Sequence, residues 1–167
     1  MNINFTIRQG IISDLPELKK LFVETIIAIC AADYNQQQID VWISSVENNQ
    51  RWLELIANQF VLVAQFEKQI VGFITLDHGN YIDLLYVHKD YQRQGIATQL
   101  LANIEMEAQR QKQTHLISDV SKTARPFFEK NKFEILKEQV VAVKGVNLIN
   151  YKMQKTLNKT PKPQNVE

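Results

Sequence analysis

The sequence has only one cysteine in 167 residues, Cys30, which excludes a disulfide bond within the chain. It also has no apolar run of roughly 18 residues or more, so no membrane-spanning helix is predicted. Residues 1–9 alternate apolar and polar side chains, whereas a secretory signal peptide places a charged segment before a continuous apolar one. We therefore expect a cytoplasmic protein with no membrane partner, in which Cys30 is a buried thiol in a reducing compartment.

Several nucleotide and metal motifs are also missing. There is no G-x-x-x-x-G-K-[ST] segment, which excludes a P-loop, and no G-x-G-x-x-G segment, which argues against a Rossmann fold. One cysteine and three scattered histidines, His78, His88 and His115, do not make a zinc pattern, so no metal site is expected. The formal net charge of +1 gives no sign of a nucleic-acid-binding surface, and no nucleic-acid partner is expected.

The length and composition fit one soluble globular domain. The chain is 45% hydrophobic and 22% charged, which is ordinary for such a protein. It contains no internal repeat and no linker, so we predict a single domain over residues 1–155. Residues 156–167 are polar and include Pro161 and Pro163, which predicts a disordered tail.

Apolar periodicity predicts both strands and helices, which do not alternate regularly along the chain. Asp14 and Glu17 are spaced as a capping box that opens the first helix. The strands are predicted over residues 3–7, 60–66, 70–76, 81–87, 115–118, 133–143 and 147–153. The helices are predicted over residues 18–29, 36–46, 52–56, 96–113 and 122–130. This order predicts an α+β fold, with a mixed sheet covered by helices on both faces.

The most informative segment joins the strand over residues 81–87 to the helix that follows Gly95. A short polar connection separates them, so the helix begins directly after a glycine-containing loop. Backbone N–H groups at a helix start have no partner within the helix, and the helix dipole adds positive potential there. Such a position suits phosphate oxygens, and the segment predicts an anion-binding site.

The residues Gln92-Arg93-Gln94-Gly95-Ile96-Ala97 resemble the acyl-CoA-binding motif of the GCN5-related N-acetyltransferase (GNAT) superfamily. Residues 124–133 resemble a second part of the same superfamily. A bacterial subgroup is also suggested by Ile7 and Arg8 with Asp14, and by Tyr34, Gln38 and Trp42. The resemblance covers the chain to about residue 155. It implies a GNAT-like acyl-CoA N-acyltransferase fold, whose central sheet is mostly antiparallel.

The resemblance implies that acetyl-CoA donates its acetyl group to a primary amine of a small molecule or peptide, by direct attack in a ternary complex. The implied cofactor-binding residues are Leu85, Tyr86, Val87, Gln92, Arg93, Gln94, Gly95, Ile96, Ala97, Thr98, Ser121 and Phe128. Ser121 has an alternative role as a simple helix cap. Because the family is often dimeric, a homodimer remains open.

The sequence departs from the family pattern at three positions. Ala97 stands for the second motif glycine, and Lys132 stands for the glycine before Phe133. Phe128 stands where many members have the tyrosine that is their proposed general acid, and a phenyl ring has no proton to give. A CoA thiol ionises like a free cysteine, with a pKa of about 8.5, so a thiolate can leave with little help. Tyr151 is an alternative acid.

A general base is expected because a free alkyl amine, like lysine, has a pKa of about 10.4. Alternation along the strand predicts one face that carries Tyr81, Asp83, Leu85 and Val87. Asp83 is the first candidate base on this face, with Tyr81 second and the turn residue His78 third. The alternative is that Asp83 pairs with a cation or a backbone donor for structural reasons.

The acceptor site is expected near the first helices and the last two strands. Asp33, Tyr34, Asp40 and Trp42 are candidates to bind a cationic amine, although Trp42 fits a core position and the acids fit the surface. Two other functions remain open. One is a CoA-binding sensor or partner module without catalysis, which the phenylalanine at position 128 favours. The other is acetylation of a protein lysine or an aminoacyl-tRNA. The near-neutral net charge argues against the tRNA substrate.

Overall fold

A meander of antiparallel strands forms the first half of the sheet. The computed structural model describes residues 3–158. Strand β1 (Thr6–Gln9) pairs with β2 (Phe60–Phe66), which turns into β3 (Gln69–Asp77) and then into β4 (Tyr81–Val87). The predicted hairpin over residues 60–76 and the strand that follows it are therefore confirmed.

The second half of the sheet adds one parallel contact and a long hairpin. Strand β5 (His115–Ser121) lies parallel to β4, and a hairpin of β6 (Glu134–Val143) and β7 (Val146–Thr156) is joined to β5 through β7. The strand order is β1-β2-β3-β4-β5-β7-β6. This confirms the expected α+β fold with a mostly antiparallel mixed sheet.

Helices cover both faces of the sheet. The helices are α1 (Leu15–Ile29), α2 (Gln36–Ile43), α3 (Asn49–Asn58), α4 (Ile96–Arg110) and α5 (Arg125–Lys130). Leu100 and Ile104 of α4 and Phe128 of α5 are buried against one face, while Phe22 of α1 and Trp52 of α3 are buried against the other. Within residues 3–158, no helix has the length and apolar composition needed to cross a membrane.

The predicted capping box at the start of α1 is wrong. The carboxylate of Asp14 accepts hydrogen bonds from both terminal nitrogens of Arg8, at 2.8 and 2.9 Å, and from the backbone N–H of Ile11. Glu17 accepts a hydrogen bond from the backbone N–H of Ile70 on β3. Both carboxylates bond to groups on the sheet, Asp14 to Arg8 of β1 and Glu17 to Ile70 of β3. Their spacing along the chain does not predict these partners.

The chain remains ordered slightly further than predicted. Strand β7 continues to Thr156, and Leu157 is buried, with its N–H bonded to the carbonyl of Thr114. The predicted tail therefore does not include these two residues. Its remainder over residues 159–167 lies outside the described residues.

A β-bulge in β4 overturns the predicted strand face. Ile74 pairs with Leu85 while Leu76 pairs with Ile82, so one residue of β3 opposes two residues of β4. The residue between them, Thr75, accepts a hydrogen bond from the N–H of Leu84 at 3.0 Å.

The bulge changes the phase of alternation. Leu85 and Val87 pack on the face that α4 covers, whereas Asp83 reaches Arg51 of α3 on the opposite face. Tyr81 and Asp83 therefore do not share a face with Leu85 and Val87, as strict alternation had predicted.

Candidate active site

A cavity lies where β4 and β5 separate. The two strands pair only at Tyr81 with Ile117 and at Ile82 with Ser118, and both continue beyond these pairs without a shared ladder. Side chains and backbone of both strands line a cavity of about 940 Å³ in this gap. The opening arises because the neighbouring strands diverge after a short parallel contact.

One end of the cavity is the loop between β4 and α4. Gly95 has a φ of +80° and begins the helix without a capping side chain. A Cβ atom at this position would meet nothing within 4 Å, so the left-handed backbone, and not lack of space, requires glycine. Among the hydrogen bonds of residues 3–158, none has the N–H of Ile96, Ala97 or Thr98 as its donor. These three groups can therefore bind an anion.

Gln92 fixes this loop to the end of β4. Its side-chain amide donates to the carbonyl of Val87 at 2.6 Å, and the same carbonyl accepts a hydrogen bond from the hydroxyl of Thr25 at 3.1 Å. Thr25 lies on α1, so strand, loop and helix meet at one atom. Sequence reasoning missed this role of Thr25, although a threonine among apolar residues of a helix was the available sign.

The structure brings together almost all of the residues expected to hold the cofactor. Those that line the cavity are Leu85, Tyr86, Val87, Gln92, Arg93, Gly95, Ile96, Ala97, Thr98, Ser121 and Phe128. Gln94 is the exception, since it lies outside this cavity, near Ile3 and Phe5 on the other side of the loop. Their roles in binding stay predictions.

Phe128 of α5 and Ser121 at the end of β5 both line the cavity. The ring of Phe128 packs edge-to-face on Phe133, with centroids 5.0 Å apart. The hydroxyl oxygen of Ser121 accepts a hydrogen bond from the N–H of Ala124 at 3.1 Å, across the turn that precedes α5. The N-cap position of α5 is Ala124, which has no side-chain cap, so Ser121 is not the cap of this helix. Tyr151, the alternative acid, does not line the cavity, and its ring lies 4.7 Å from the guanidinium carbon of Arg125.

Asp83, the first candidate base, is held in an ion pair. Its carboxylate lies 3.2 Å from Nη2 of Arg51 and accepts a hydrogen bond from the amide of Gln59 at 2.8 Å. The side chain retains 14% exposure and lines the cavity. The structural pairing that the sequence left open is therefore present, and a catalytic role for Asp83 stays a prediction.

Tyr81, the second candidate base, is a hydrogen-bond donor. Its hydroxyl lies 2.6 Å from Oδ2 of Asp119 and donates to it. Burial, followed by the hydrogen bond to Asp119 and the nearby Asp83, raises the pKa of Tyr81 above its usual value. The phenol is thus protonated at neutral pH and is a poor base. His78, the third candidate, is 87% exposed in its side chain and lies outside the cavity.

Asp119 is a cavity carboxylate that sequence reasoning missed. It accepts hydrogen bonds from Tyr81 and from the amide of Gln139 at 2.7 Å, both neutral donors. Within the described residues it forms no ion pair, unlike Asp83. The sign available in the sequence was an acidic residue directly after the strand predicted over residues 115–118.

The acceptor candidates divide into two groups. Tyr34 and Trp42 both line the cavity, and their rings are 5.2 Å apart. The Tyr34 hydroxyl donates to the carbonyl of Ile149 at 2.6 Å, so it also connects the segment between α1 and α2 to β7. Asp33 and Asp40 do not line the cavity. They accept hydrogen bonds from Thr123 and Gln36, respectively.

Cys30 also contacts the cavity. It is 5% exposed, and burial raises the pKa of its thiol to about 11. The expected buried thiol is therefore confirmed. A protonated thiol is a weak nucleophile at neutral pH, so a covalent role for Cys30 is not supported.

Comparisons with known proteins agree on one family. Residues 30–155 match the family model described as acetyltransferase (GNAT) domain. The uncharacterized N-acetyltransferase YafP of Escherichia coli K12 is 34% identical over 151 residues, covering 90% of this chain and 95% of that protein.

Solved structures share the fold. A GCN5-related N-acetyltransferase of Rhodopseudomonas palustris is 28% identical with a TM-score of 0.90, covering 94% of this chain and 98% of that one. The PaiA N-acetyltransferase of Thermoplasma acidophilum, in complex with coenzyme A, is 20% identical with a TM-score of 0.77, covering 92% of this chain and 99% of that one.

Proposed function

The chain belongs to the GNAT family of acetyltransferases, and we propose that it transfers the acetyl group of acetyl-CoA to a primary amine of a small molecule or peptide. One observation carries the proposal. The cavity between β4 and β5 connects an anion-binding helix start to a pair of carboxylates, Asp83 and Asp119. Phosphates and a thioester can therefore bind along one path, with an amine at its far end.

The start of α4 suits the pyrophosphate. The free N–H groups of Ile96, Ala97 and Thr98 point away from the helix, and Arg93 adds a positive charge in the same loop. Ala97 in place of the second motif glycine is compatible with this role, because it is small and lines the cavity. The coenzyme A in the Thermoplasma acidophilum structure of the same fold supports the assignment.

Strand β4 suits the pantetheine arm. Beyond Ile82 the edge of β4 that faces β5 has no ladder, so backbone groups of the segment Leu85–Val87 that do not bond to β3 are available to the amides of the arm. The Val87 carbonyl is not among them, because Gln92 and Thr25 already donate to it. One N–H of this segment can polarise the thioester carbonyl and stabilise the oxyanion that forms on attack. The bulge at Asp83 and Leu84 breaks the regular ladder at this point.

The reaction needs the amine in its neutral form. An ammonium loses one proton, its nitrogen lone pair forms a bond to the thioester carbon, and the carbon–sulfur bond breaks with its electron pair on sulfur. The second proton leaves nitrogen and can neutralise the thiolate. Since a thiol with a pKa of about 8.5 gives a good leaving group, the absence of a tyrosine at position 128 is compatible with turnover.

The proposal is tested in two steps. Acetyl-CoA at about 100 times its dissociation constant should stabilise the native protein by about 2.7 kcal/mol, seen as a higher Tm. Thiol release should then depend on an added primary amine from a panel of small amines and short lysine peptides. No Tm shift with acetyl-CoA would refute cofactor binding, whereas a shift without thiol release would refute the proposed transfer for those amines.

A CoA-binding sensor without catalysis is the second candidate. The observation that favours it is Phe128, because the ring is buried where many family members have an acidic hydroxyl. For a sensor, acetyl-CoA should raise Tm without amine-dependent thiol release, and Phe128→Tyr should not create activity. For an enzyme, wild-type turnover is measurable, and this substitution changes it only modestly.

A further inference from the structure

We propose that Asp119 binds the ammonium group of the acceptor, and that the acceptor is a primary amine with an apolar group and no carboxylate beside its nitrogen. The inference rests on the proposed acetyl transfer and specifies its substrate class. It assigns a specificity role to a residue within the same cavity.

Asp119 lies at the point where the cavity begins. The last paired position of the two strands is Ile82 with Ser118, so Asp83 and Asp119 are the next residues on β4 and β5. Tyr81 donates a hydrogen bond to Asp119, with 2.6 Å between the two oxygens, and it lies two residues before Asp83 on β4. Two carboxylates therefore meet at one end of the cavity.

The two carboxylates differ in their partners. Asp83 is neutralised by Arg51, whose Nη2 lies 3.2 Å away. Among residues 3–158, the hydrogen-bond donors to Asp119 are the neutral groups of Tyr81 and Gln139, which orient its carboxylate without cancelling its charge. Its cross-strand neighbour Lys152 forms no ion pair with it in the described part of the chain and does not line the cavity.

The charge of Asp119 is therefore available to a ligand. The end of the cavity formed by Arg51, Asp83 and Asp119 places two carboxylates against one guanidinium, so its formal charge is negative. An ammonium at this place is attracted, and a carboxylate is repelled. The negative charge at this end is opposite to the positive charge of Arg93 at the α4 loop, which suits phosphates.

Apolar side chains complete the acceptor end. Trp42 and Val41 of α2, with Val141, Val143 and Leu148 of the β6–β7 hairpin, line the same cavity. Lining of this kind favours a ligand with an apolar body, while one charged group fixes its orientation. An aromatic or aliphatic amine satisfies both features, whereas a free amino acid places its carboxylate next to the nitrogen and therefore near Asp119.

The experiment compares three probe amines with saturating acetyl-CoA: phenethylamine, phenylalaninol and phenylalanine. The last two share the same side chain and differ in a hydroxymethyl or a carboxylate group beside the amine. We expect kcat/KM for phenylalanine to be at least tenfold below that for phenylalaninol. Asp119→Asn should raise the KM for phenethylamine about tenfold. It should also reduce the difference in kcat/KM between phenylalanine and phenylalaninol.

The matched control is Glu138→Gln, which removes an exposed carboxylate from β6 next to Gln139 and outside the cavity. Glu138→Gln should leave kcat/KM unchanged for each of the three probe amines. The Tm shift with acetyl-CoA should be the same in both variants and in the wild type, because neither substitution touches the α4 loop. This measurement also shows that the Asp119 variant is folded.

Two results would overturn the inference: equal kcat/KM for phenylalanine and phenylalaninol in the wild type, or an unchanged KM for phenethylamine in Asp119→Asn. A wild-type protein that binds acetyl-CoA but acetylates lysine peptides and none of the three probes would also refute the acceptor class. Failure of the proposed function itself is a different result, namely no Tm shift with acetyl-CoA, or a Tm shift without amine-dependent thiol release for any amine of the panel.

Discussion

The side-chain amide of Gln92 donates a 2.6 Å hydrogen bond to the backbone carbonyl of Val87. Thr25 donates to the same carbonyl from α1. The last residue of β4 is thus tied both to the loop that begins α4 and to the helix on the other face of the sheet. The bonds hold the loop in one position relative to the strand that we assign to the pantetheine arm.

Loss of the Gln92 amide should therefore loosen the loop. Gln92→Ala should weaken acetyl-CoA binding about tenfold, since a hydrogen bond of this kind contributes about 1 kcal/mol and tenfold corresponds to about 1.4 kcal/mol. Isothermal titration calorimetry with acetyl-CoA measures the change. Gln99→Ala, in the first turn of α4 and outside the cavity, is the control, and equal losses of affinity in both variants would contradict the role of Gln92.

Gly95 should tolerate asparagine better than alanine. Its φ of +80° costs a residue with a side chain about 1–2 kcal/mol, and asparagine adopts this region more readily than alanine does. We expect Gly95→Ala to lower both the stability and the affinity for acetyl-CoA, and Gly95→Asn to lower them less. Urea unfolding and calorimetry check the order. Because a Cβ meets nothing within 4 Å, a similar loss in both variants would mean that the backbone conformation is not the cause.

A base role for Asp83 predicts a pH-dependent loss of activity. Asp83→Asn should reduce turnover at pH 7 by roughly 100-fold, within the range for a general base. The loss should shrink towards pH 10, where an amine with a pKa of about 10.4 deprotonates without help. Arg51→Gln is the matched control, because it breaks the same 3.2 Å ion pair and keeps the carboxylate. A constant loss at every pH would leave Asp83 a purely structural role.

The ion pair of Arg8 and Asp14 should make stability depend on acidic pH. Hydrogen bonds from Arg8, aided by the N–H of Ile11, lower the pKa of Asp14 below its usual value. Because the folded pKa is the lower one, the stabilisation is complete above an unfolded pKa of about 3.9 and is lost as pH falls through the folded value.

Asp14→Asn should therefore reduce the free energy of unfolding by about 2 kcal/mol at pH 7 and by much less near pH 2. Urea unfolding at several pH values measures this difference. Asp40→Asn, which changes an exposed carboxylate on α2, should have little effect at any pH. If the cost of Asp14→Asn did not vary with pH, the ionised pair would not be the stabilising interaction.

The segment that is most informative in the sequence is also local in the structure. The strand Tyr81–Val87, the loop over residues 88–95 and the start of α4 follow one another directly, so periodicity and a glycine were enough to predict them. The same holds for the β2–β3 hairpin. These features depend on residues that are close together in the chain, so they can be predicted from the sequence.

Features that depend on distant residues were not predicted. Strict alternation placed Asp83 with Leu85, but Thr75 of β3 bonds to Leu84 and a bulge changes the face. Asp14 was predicted to cap α1, but Arg8 binds its carboxylate instead. In each case the competing partner is a hydrogen-bond donor or acceptor on another element.

The sequence by itself determined the family, the order of most strands and helices, and the glycine that begins α4, because each of these is written in consecutive residues. Only the tertiary structure decided that β4 and β5 diverge after Ile82 and Ser118, which opens the cavity. Only it brought Tyr81, Asp83 and Asp119 to one place and paired Asp83, but not Asp119, with a cation. Charge neutralisation is a property of contacts across the sheet, and for that reason the acceptor end could not be read from the chain alone.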